Sequence, residues 1–162
     1  MILNIEKADI KSLDRLMEIE ALTFPAAEAA AADTFSYRIK HFGEWFHVAT
    51  ADGRIVGLLT GRLTPLDHIS DDLYEPAGVS MGEYFALLSV ETDPAWQKKG
   101  VAEALINDTI ARAQERSVKA ITLACKDRLV HYYEKFGFVN MGVSQSVHGG
   151  AVWNDMKLTL CR

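Results

Sequence analysis

The chain has 162 residues, a formal net charge of −5, 49% hydrophobic and 24% charged residues, the size of one domain with a core that needs no disulfide or metal. The acidic balance, with no basic stripe on any predicted helix, excludes nucleic acid as the main partner, because phosphate neutralisation supplies most of that affinity. No apolar run reaches the ~20 residues of a membrane span and no signal peptide opens the chain, so no membrane is expected as a partner.

In chain order, residues 2–7 alternate as a strand. Asp9 or Ser12 caps a helix whose apolar positions Leu13, Leu16, Met17 and Ile19 recur at helical spacing, and Pro25 breaks it. The alanine-rich run 26–42 predicts a second helix, ended by Gly43. Segments 45–49 and 55–63 read as strands joined through Ala51-Asp52-Gly53-Arg54, an Asp-Gly hairpin signal. Pro65, Pro76, Gly78 and several acids predict a long loop over 64–82 with a short helix in it. There follow a strand over 83–92, a helix over 100–115, a strand over 119–125 and a helix over 127–135. Two strands over 138–146 and 151–159, joined across His148-Gly149-Gly150, complete the chain. No repeat or composition break divides it, so residues 1–162 are expected to form a single α/β (α+β) domain, a mixed sheet with helices on both faces.

The segment Gln97-Lys98-Lys99-Gly100-Val101-Ala102 joins a strand to a helix. Several backbone N–H groups there point at one spot beside the positive end of a helix dipole, which is an anion site of the pyrophosphate-binding kind. Gly100 and Ala102 are small enough for close approach. Neither G-x-G-x-x-G nor G-x-x-x-x-G-K-[ST] is present. Val101, Ala102, Leu105, Ile106, Thr109, Ile110 and Ala113 make the following helix amphipathic, so the turn is tied to a packed element.

This segment fits the Q/R-x-x-G-x-G/A pattern of the GNAT superfamily of acyl-CoA-dependent N-acyltransferases. The run from Leu123 to Phe138 resembles, without a gap, the matching segment of the arylalkylamine (serotonin) N-acetyltransferases. Leu123, Cys125, Asp127, Leu129, Val130, Tyr133, Phe136, Gly137 and Phe138 fall on that group's residues. In it Asp127 reads as a helix cap, Gly137 as the terminator and Phe138 as the first residue of the next strand. Phe24-Pro25-Ala26-Ala27-Glu28-Ala29-Ala30 is similar to a segment of microbial relatives.

The resemblance implies a GNAT-type, mostly antiparallel sheet with a splayed central strand pair, 83–92 and 119–125. It implies acetyl-CoA as co-substrate, its pantetheine arm bonded to the backbone of Val90 and Thr92 across Glu91. Its pyrophosphate would sit on the turn Gln97, Lys98, Lys99, Gly100 and the helix start Val101, Ala102, Glu103. Transfer would be direct, in a ternary complex, with the Val90 N–H stabilising the oxyanion. Tyr133 matches the family tyrosine and is expected to protonate the leaving thiolate.

An alkylamine with a pKa of about 10 is neutral in roughly one molecule per thousand at pH 7, so a base is also required. Two histidines of the vertebrate enzymes align with Ala86 and Leu88, and that relay is absent. Glu28, Glu83 and Glu91 remain as candidates, and Glu28 is favoured by its motif. Against Glu28 stands its reading as a helix N-terminal acid favoured by the dipole. Glu91 reads more readily as a solvated or paired edge residue.

The histidines His41, His47, His68, His131 and His148 show no ligand spacing, so no metal is expected. Cys125 and Cys161 lack C-x-x-C spacing and suit a reduced, cytoplasmic protein. The expected partners are coenzyme A and a small amine, which a mildly acidic surface suits. A homodimer is an open alternative to a monomer. Two rival readings stand beside this one: acetylation of protein lysines or N-termini, and a non-catalytic acyl-CoA-binding regulator. The 64–82 loop bears on the choice, since a loop over the acceptor site favours a small molecule.

Overall fold

In the computed structural model, which describes residues 2–160, β1 (Asn4–Lys7) leads into α1 (Leu13–Thr23) and α2 (Ala32–His41). The hairpin β2 (Phe46–Ala51) and β3 (Arg54–Thr64) precedes β4 (Tyr84–Thr92), α3 (Val101–Glu115) and β5 (Ala120–Cys125). The chain closes with α4 (Val130–Glu134), β6 (Val139–Val143) and β7 (Asn154–Thr159). One seven-stranded sheet results, in the order β1-β2-β3-β4-β5-β7-β6. Only β4 and β5 pair in parallel; every other neighbouring pair is antiparallel. The expected mixed, mostly antiparallel sheet is therefore the observed one.

Alternation along the strands divides the core in two. Phe46, Val48 and Leu58 pack with Leu16 and Ile19 of α1 and Phe35 of α2 on one face. Ala49, Leu59, Phe85 and Ile121 pack with Val101, Leu105 and Ile106 of α3 and Tyr133 of α4 on the other. The β2–β3 turn carries Asp52 at φ 51° and Gly53 at φ 76°, the left-handed pair that a two-residue hairpin requires. Among the described residues no helix is long and apolar enough to cross a membrane.

Three expected boundaries are corrected. The run 26–42 is not one helix: α2 begins at Ala32, and Glu28 and Ala29 donate to the Pro25 carbonyl in a single turn. The Ala30 N–H then donates to Glu20 Oε2 at 2.7 Å, which draws the chain out of helical geometry and overrides the alanine propensity. Asp127 does not cap its helix, because its Oδ1 accepts from Asn154 Nδ2 at 2.6 Å and the cap position is Lys126. Strand β6 stops at Val143 and β7 starts at Asn154. The segment between them is pulled aside by Asp71, whose carboxylate accepts from the Ser146 hydroxyl and the Val147 N–H. Phe138 precedes β6 by one residue. The expectation for Cys161 lies outside the described residues.

His47, on β2, is 1% exposed and its Nε2 has no hydrogen-bond partner among the described residues. Burial, with Arg112 nearby, pushes its pKa down to about 4. The unfolded chain takes up this proton near 6.5 and the folded chain resists it. Stability is therefore full above pH 6.5 and falls by up to about 3 kcal/mol as pH drops towards 4. Urea unfolding at pH 7 and pH 4.5 should show a loss that His47→Leu largely removes; the same loss in the variant would clear His47 of responsibility.

Candidate functional site

The parallel pairing of β4 and β5 spans only Tyr84–Ala86 against Ala120–Thr122. Beyond it β4 stays paired to β3 as far as Thr92, and β5 to β7 as far as Cys125. The two strands thus diverge while each keeps its outer neighbour. Opposite Thr60 and Gly61 of β3 the register skips Leu88, an extra residue that makes a β-bulge in β4 and bends that strand. Into the wedge opens a cavity of about 440 Å³, walled by Leu87 to Val90 on one side and Leu123 to Cys125 on the other.

Beside the wedge the chain enters α3 through two left-handed residues, Lys98 at φ 62° and Gly100 at φ 80°. The first helical bond runs from Ala104 N to Gly100 O at 3.0 Å, so the N–H groups of Val101, Ala102 and Glu103 have no acceptor inside the helix. An added Cβ at Gly100 would meet nothing within 4 Å. The result is a free concavity of amides at a helix N-terminus, which fits a pyrophosphate. The turn is anchored from α1: Arg15 Nη2 donates to Asp93 Oδ2 at 2.6 Å, and Asp93 Oδ1 accepts from the Ala95 N–H at 2.9 Å. The bond to Arg15 and the one from Ala95 hold the Asp93 carboxyl below the usual range. Lys98 and Lys99 are exposed, whereas Val101 is buried and offers only its backbone.

At the other end of the cavity lies Glu28. Its Oε2 accepts from Lys126 Nζ at 2.9 Å, while Oε1 is buried without a partner. His148 Nε2 lies 3.1 Å from the Glu28 carbonyl, and its ring stacks on Tyr74 at 4.4 Å. Trp153 donates to the His148 carbonyl at 2.9 Å and lies under Lys126 Nζ at 5.7 Å. Tyr74, Glu75, His148 and Trp153 all line the cavity. The 64–82 loop therefore walls the end that holds Glu28.

A second acidic group sits deeper. Glu20, on α1, is 3% exposed and Glu91, on β4, is 1% exposed; the expectation of a solvated or paired edge residue at Glu91 is corrected, since the side chain is buried and β4 lies inside the sheet. The Ser89 hydroxyl donates to Glu91 Oε2, and the Glu20 and Glu91 carboxyls hydrogen-bond each other. Burial first, then that bond and the charge of Glu20, raise the proton affinity of Glu91 well above the carboxylate range. Arg38 of α2 lies beside them, with Nη2 donating to the Tyr74 carbonyl at 3.1 Å. Burial weighs against its charge, which Glu20, Tyr74 and Glu91 support.

Tyr133 also lines the cavity and is 6% exposed. Burial, then the neighbouring Cys125, push its phenol pKa up, so at neutral pH it is a proton donor. Burial and Asp127 push the Cys125 thiol up to about 11, and it contacts Met156 Sδ at 3.4 Å; a protonated, packed thiol is no nucleophile. Glu83 is ion-paired to Lys119 at 2.9 Å and does not line the cavity.

Of the expected site residues, Val90, Gln97, Glu28 and Tyr133 meet at the cavity. Thr92, Lys98, Lys99, Gly100, Val101, Ala102 and Glu103 do not line it. Sequence reading missed Glu20, Arg38, Tyr74 and His148. Glu20 carried a signal, an acid four residues after Leu16 on the apolar stripe of α1, as did Arg38 three after Phe35.

A family model described as an acetyltransferase (GNAT) domain matches residues 14–160. N-acetylaspartate synthetase of Rattus norvegicus is 31% identical over 116 residues, covering 70% of this chain but 34% of its own length. The chain thus spans about a third of that relative. Among solved structures, the loading GNATL domain of CurA from Lyngbya majuscula superposes with a TM-score of 0.81 at 12% identity, covering 99% of this chain and 98% of that one. Arabidopsis thaliana Naa50, in complex with the bisubstrate analogue CoA-Ac-MVNAL, gives 0.76 at 14%, covering 98% and 99%. At these identities the likeness establishes the fold alone.

The loop wall depends on Arg62 of β3. Its Nη1 donates to the carbonyls of Leu73 (3.4 Å) and Ala77 (3.0 Å) and its Nη2 to that of Val79 (3.1 Å). The guanidinium also lies 4.4 Å over the Phe42 ring. Arg62→Met keeps the bulk and strands three carbonyls, at roughly 1–3 kcal/mol. Amide hydrogen exchange over 71–80 should speed up well beyond the rest of the sheet. Unchanged protection would show that the loop is held by other contacts.

Proposed function

The chain belongs to the GNAT acetyltransferase family, whose acyl donor is acetyl-CoA, and on that premise we propose that its acceptor is a small primary amine. The observation that carries this reading is the cavity of about 440 Å³ in the β4–β5 wedge, lined at the Glu28 end by Tyr74, His148 and Trp153. That volume suits a small ligand with the acetyl end of the donor. An extended peptide needs an open path, which the loop wall opposes. The motif likeness to the arylalkylamine type supports the same class. The name of the curated relative adds an amino acid, aspartate, as a compound to test.

In this reading the pyrophosphate rests on the amides of Lys98 to Glu103. The pantetheine arm bonds to the backbone of Val90 and Thr92, where the wedge leaves strand groups unpaired. Glu91 supplies only its main chain to the donor. The donor brings a thioester carbonyl to the cavity, beside the Val90 N–H. Glu28 receives the ammonium of the acceptor and helps remove a proton, directly or through a water. Lys126 orients its carboxylate, leaving Oε1 for the acceptor. Tyr133, kept protonated by burial, gives its proton to the departing sulfur. Transfer is direct, because Cys125 is held as a thiol.

A thiol-release assay over arylalkylamines, polyamines, amino acids and N-terminal peptides tests the acceptor class: a small amine should be turned over, and turnover of peptides alone would favour the protein-acetylating alternative. With the best acceptor, Tyr133→Phe should keep acetyl-CoA affinity and slow single-turnover transfer by about 10²–10⁴-fold. Glu28→Gln should lose rate most steeply below the pKa of the amine and recover at high pH, where neutral amine is abundant. Wild-type rates in the first variant, or a wild-type pH profile in the second, would return that residue to a packing role.

A further inference from the structure

Converting an ammonium group to an amide N–H removes two protons from nitrogen. One replaces the proton that Tyr133 gives to sulfur; the other must leave the protein. Glu28 is one station for this traffic, and the buried acids on β4 and α1 offer a second. Ser89 lines the cavity next to Val90 and donates to Glu91 Oε2. Glu20 and Glu91 each have an Oε1 that is buried and otherwise unpartnered, and the two carboxyls hydrogen-bond each other. One proton between these two oxygens satisfies both. With Arg38 beside it, the singly protonated pair and the guanidinium sum to zero charge, a state that a buried site tolerates.

We propose that Ser89 and the buried Glu20–Glu91 pair form a proton relay that takes one of the two protons shed by the acceptor nitrogen. This rests on the amine-acetylating reading above. An N–H bond of the acceptor breaks, its electron pair stays on nitrogen, and an O–H bond forms on the Ser89 oxygen. The hydroxyl proton of Ser89 passes at the same time to Glu91 Oε2, and the proton shared at Oε1 settles on Glu20. No bond is left open and no oxidant or reductant is needed. Doubly protonated, the pair leaves Arg38 as an uncompensated buried charge. The extra proton is therefore returned through Ser89 to the cavity and on to solvent.

The charged and titratable groups that face the pair come from three further places. Arg38 approaches from α2, Tyr74 from the loop through the bond of its carbonyl to Arg38, and Arg62 acts on Arg38 from β3. Burial and the neighbouring Glu20 raise the proton affinity of Glu91, which favours a shared-proton state at rest.

The test has one arm that needs no turnover. Infrared difference spectra at neutral pH should show a protonated carboxyl C=O band in the wild-type protein that is missing from Glu91→Gln. Absence of the band from the wild-type protein would overturn the relay. In the second arm, single-turnover transfer is followed against pH at saturating acetyl-CoA. Ser89→Ala should lose about 10²-fold below the pKa of the amine and recover above it, with acetyl-CoA affinity unchanged. Ser89→Thr, which keeps the hydroxyl, should restore the rate. Wild-type transfer to an amine together with an indifferent Ser89→Ala would overturn the relay alone. Failure of the wild-type protein to acetylate any amine would instead overturn the reading on which it rests.

Discussion

Two adjacent strands that stop bonding to each other govern this molecule. A strand in the middle of a sheet has N–H and C=O groups on both edges, and each needs a partner. In β4 and β5 the shared edge is satisfied for three residue pairs and then left open. The outer edges stay laddered to β3 and β7. The open edges lie in a partly enclosed cavity, where a bound chain with its own amides is a natural partner. Everything else at the site is arranged around that gap: the bulge that bends β4, the left-handed residues that start α3, and the helix α4 that brings Tyr133 to its mouth.

Electrostatics follow from the same placement. Ser89 and Glu91, two residues apart on β4, share one face: Ser89 lines the cavity, while Glu91 is buried beside Glu20. Burial and the neighbouring carboxyl raise the proton affinity of Glu91, because two carboxylates resist ionising together in such a place. Arg38 supplies the compensating charge. Glu28, by contrast, remains at the cavity wall and is balanced by Lys126 at 2.9 Å. The protein thus holds two acids of different character near one cavity, Glu28 paired with a cation and Glu91 buried beside a second carboxyl.

Element order, strand identities and the strand-to-helix turn before α3 were legible in the sequence because they rest on local signals. The Asp-Gly hairpin, the amphipathic α3 and the Gln97–Ala102 turn each need only their own residues. What failed was tertiary. The 26–42 run has helical propensity, yet the Glu20 carboxylate captures the Ala30 N–H and delays the helix to Ala32. Asp127 has the chemistry of a cap, yet Asn154 claims it. The acid at Glu91 reads as an edge residue until α1 is laid across it, and His148 means nothing until the loop carrying Tyr74 meets it. Pairings between residues far apart in the chain have no local signature, and the deeper half of the candidate site is made of them.

The central claim is that the open β4 edge and the α3 N-terminus hold the donor through main-chain groups. Titration of the ¹⁵N-labelled protein with coenzyme A tests it most directly. The account predicts that the amide resonances of Val90, Thr92 and Lys98 to Glu103 shift together in one saturable transition, while those of β1 and β6 stay in place. Binding that leaves the Val90, Thr92 and Gly100 to Glu103 amides unmoved would contradict it.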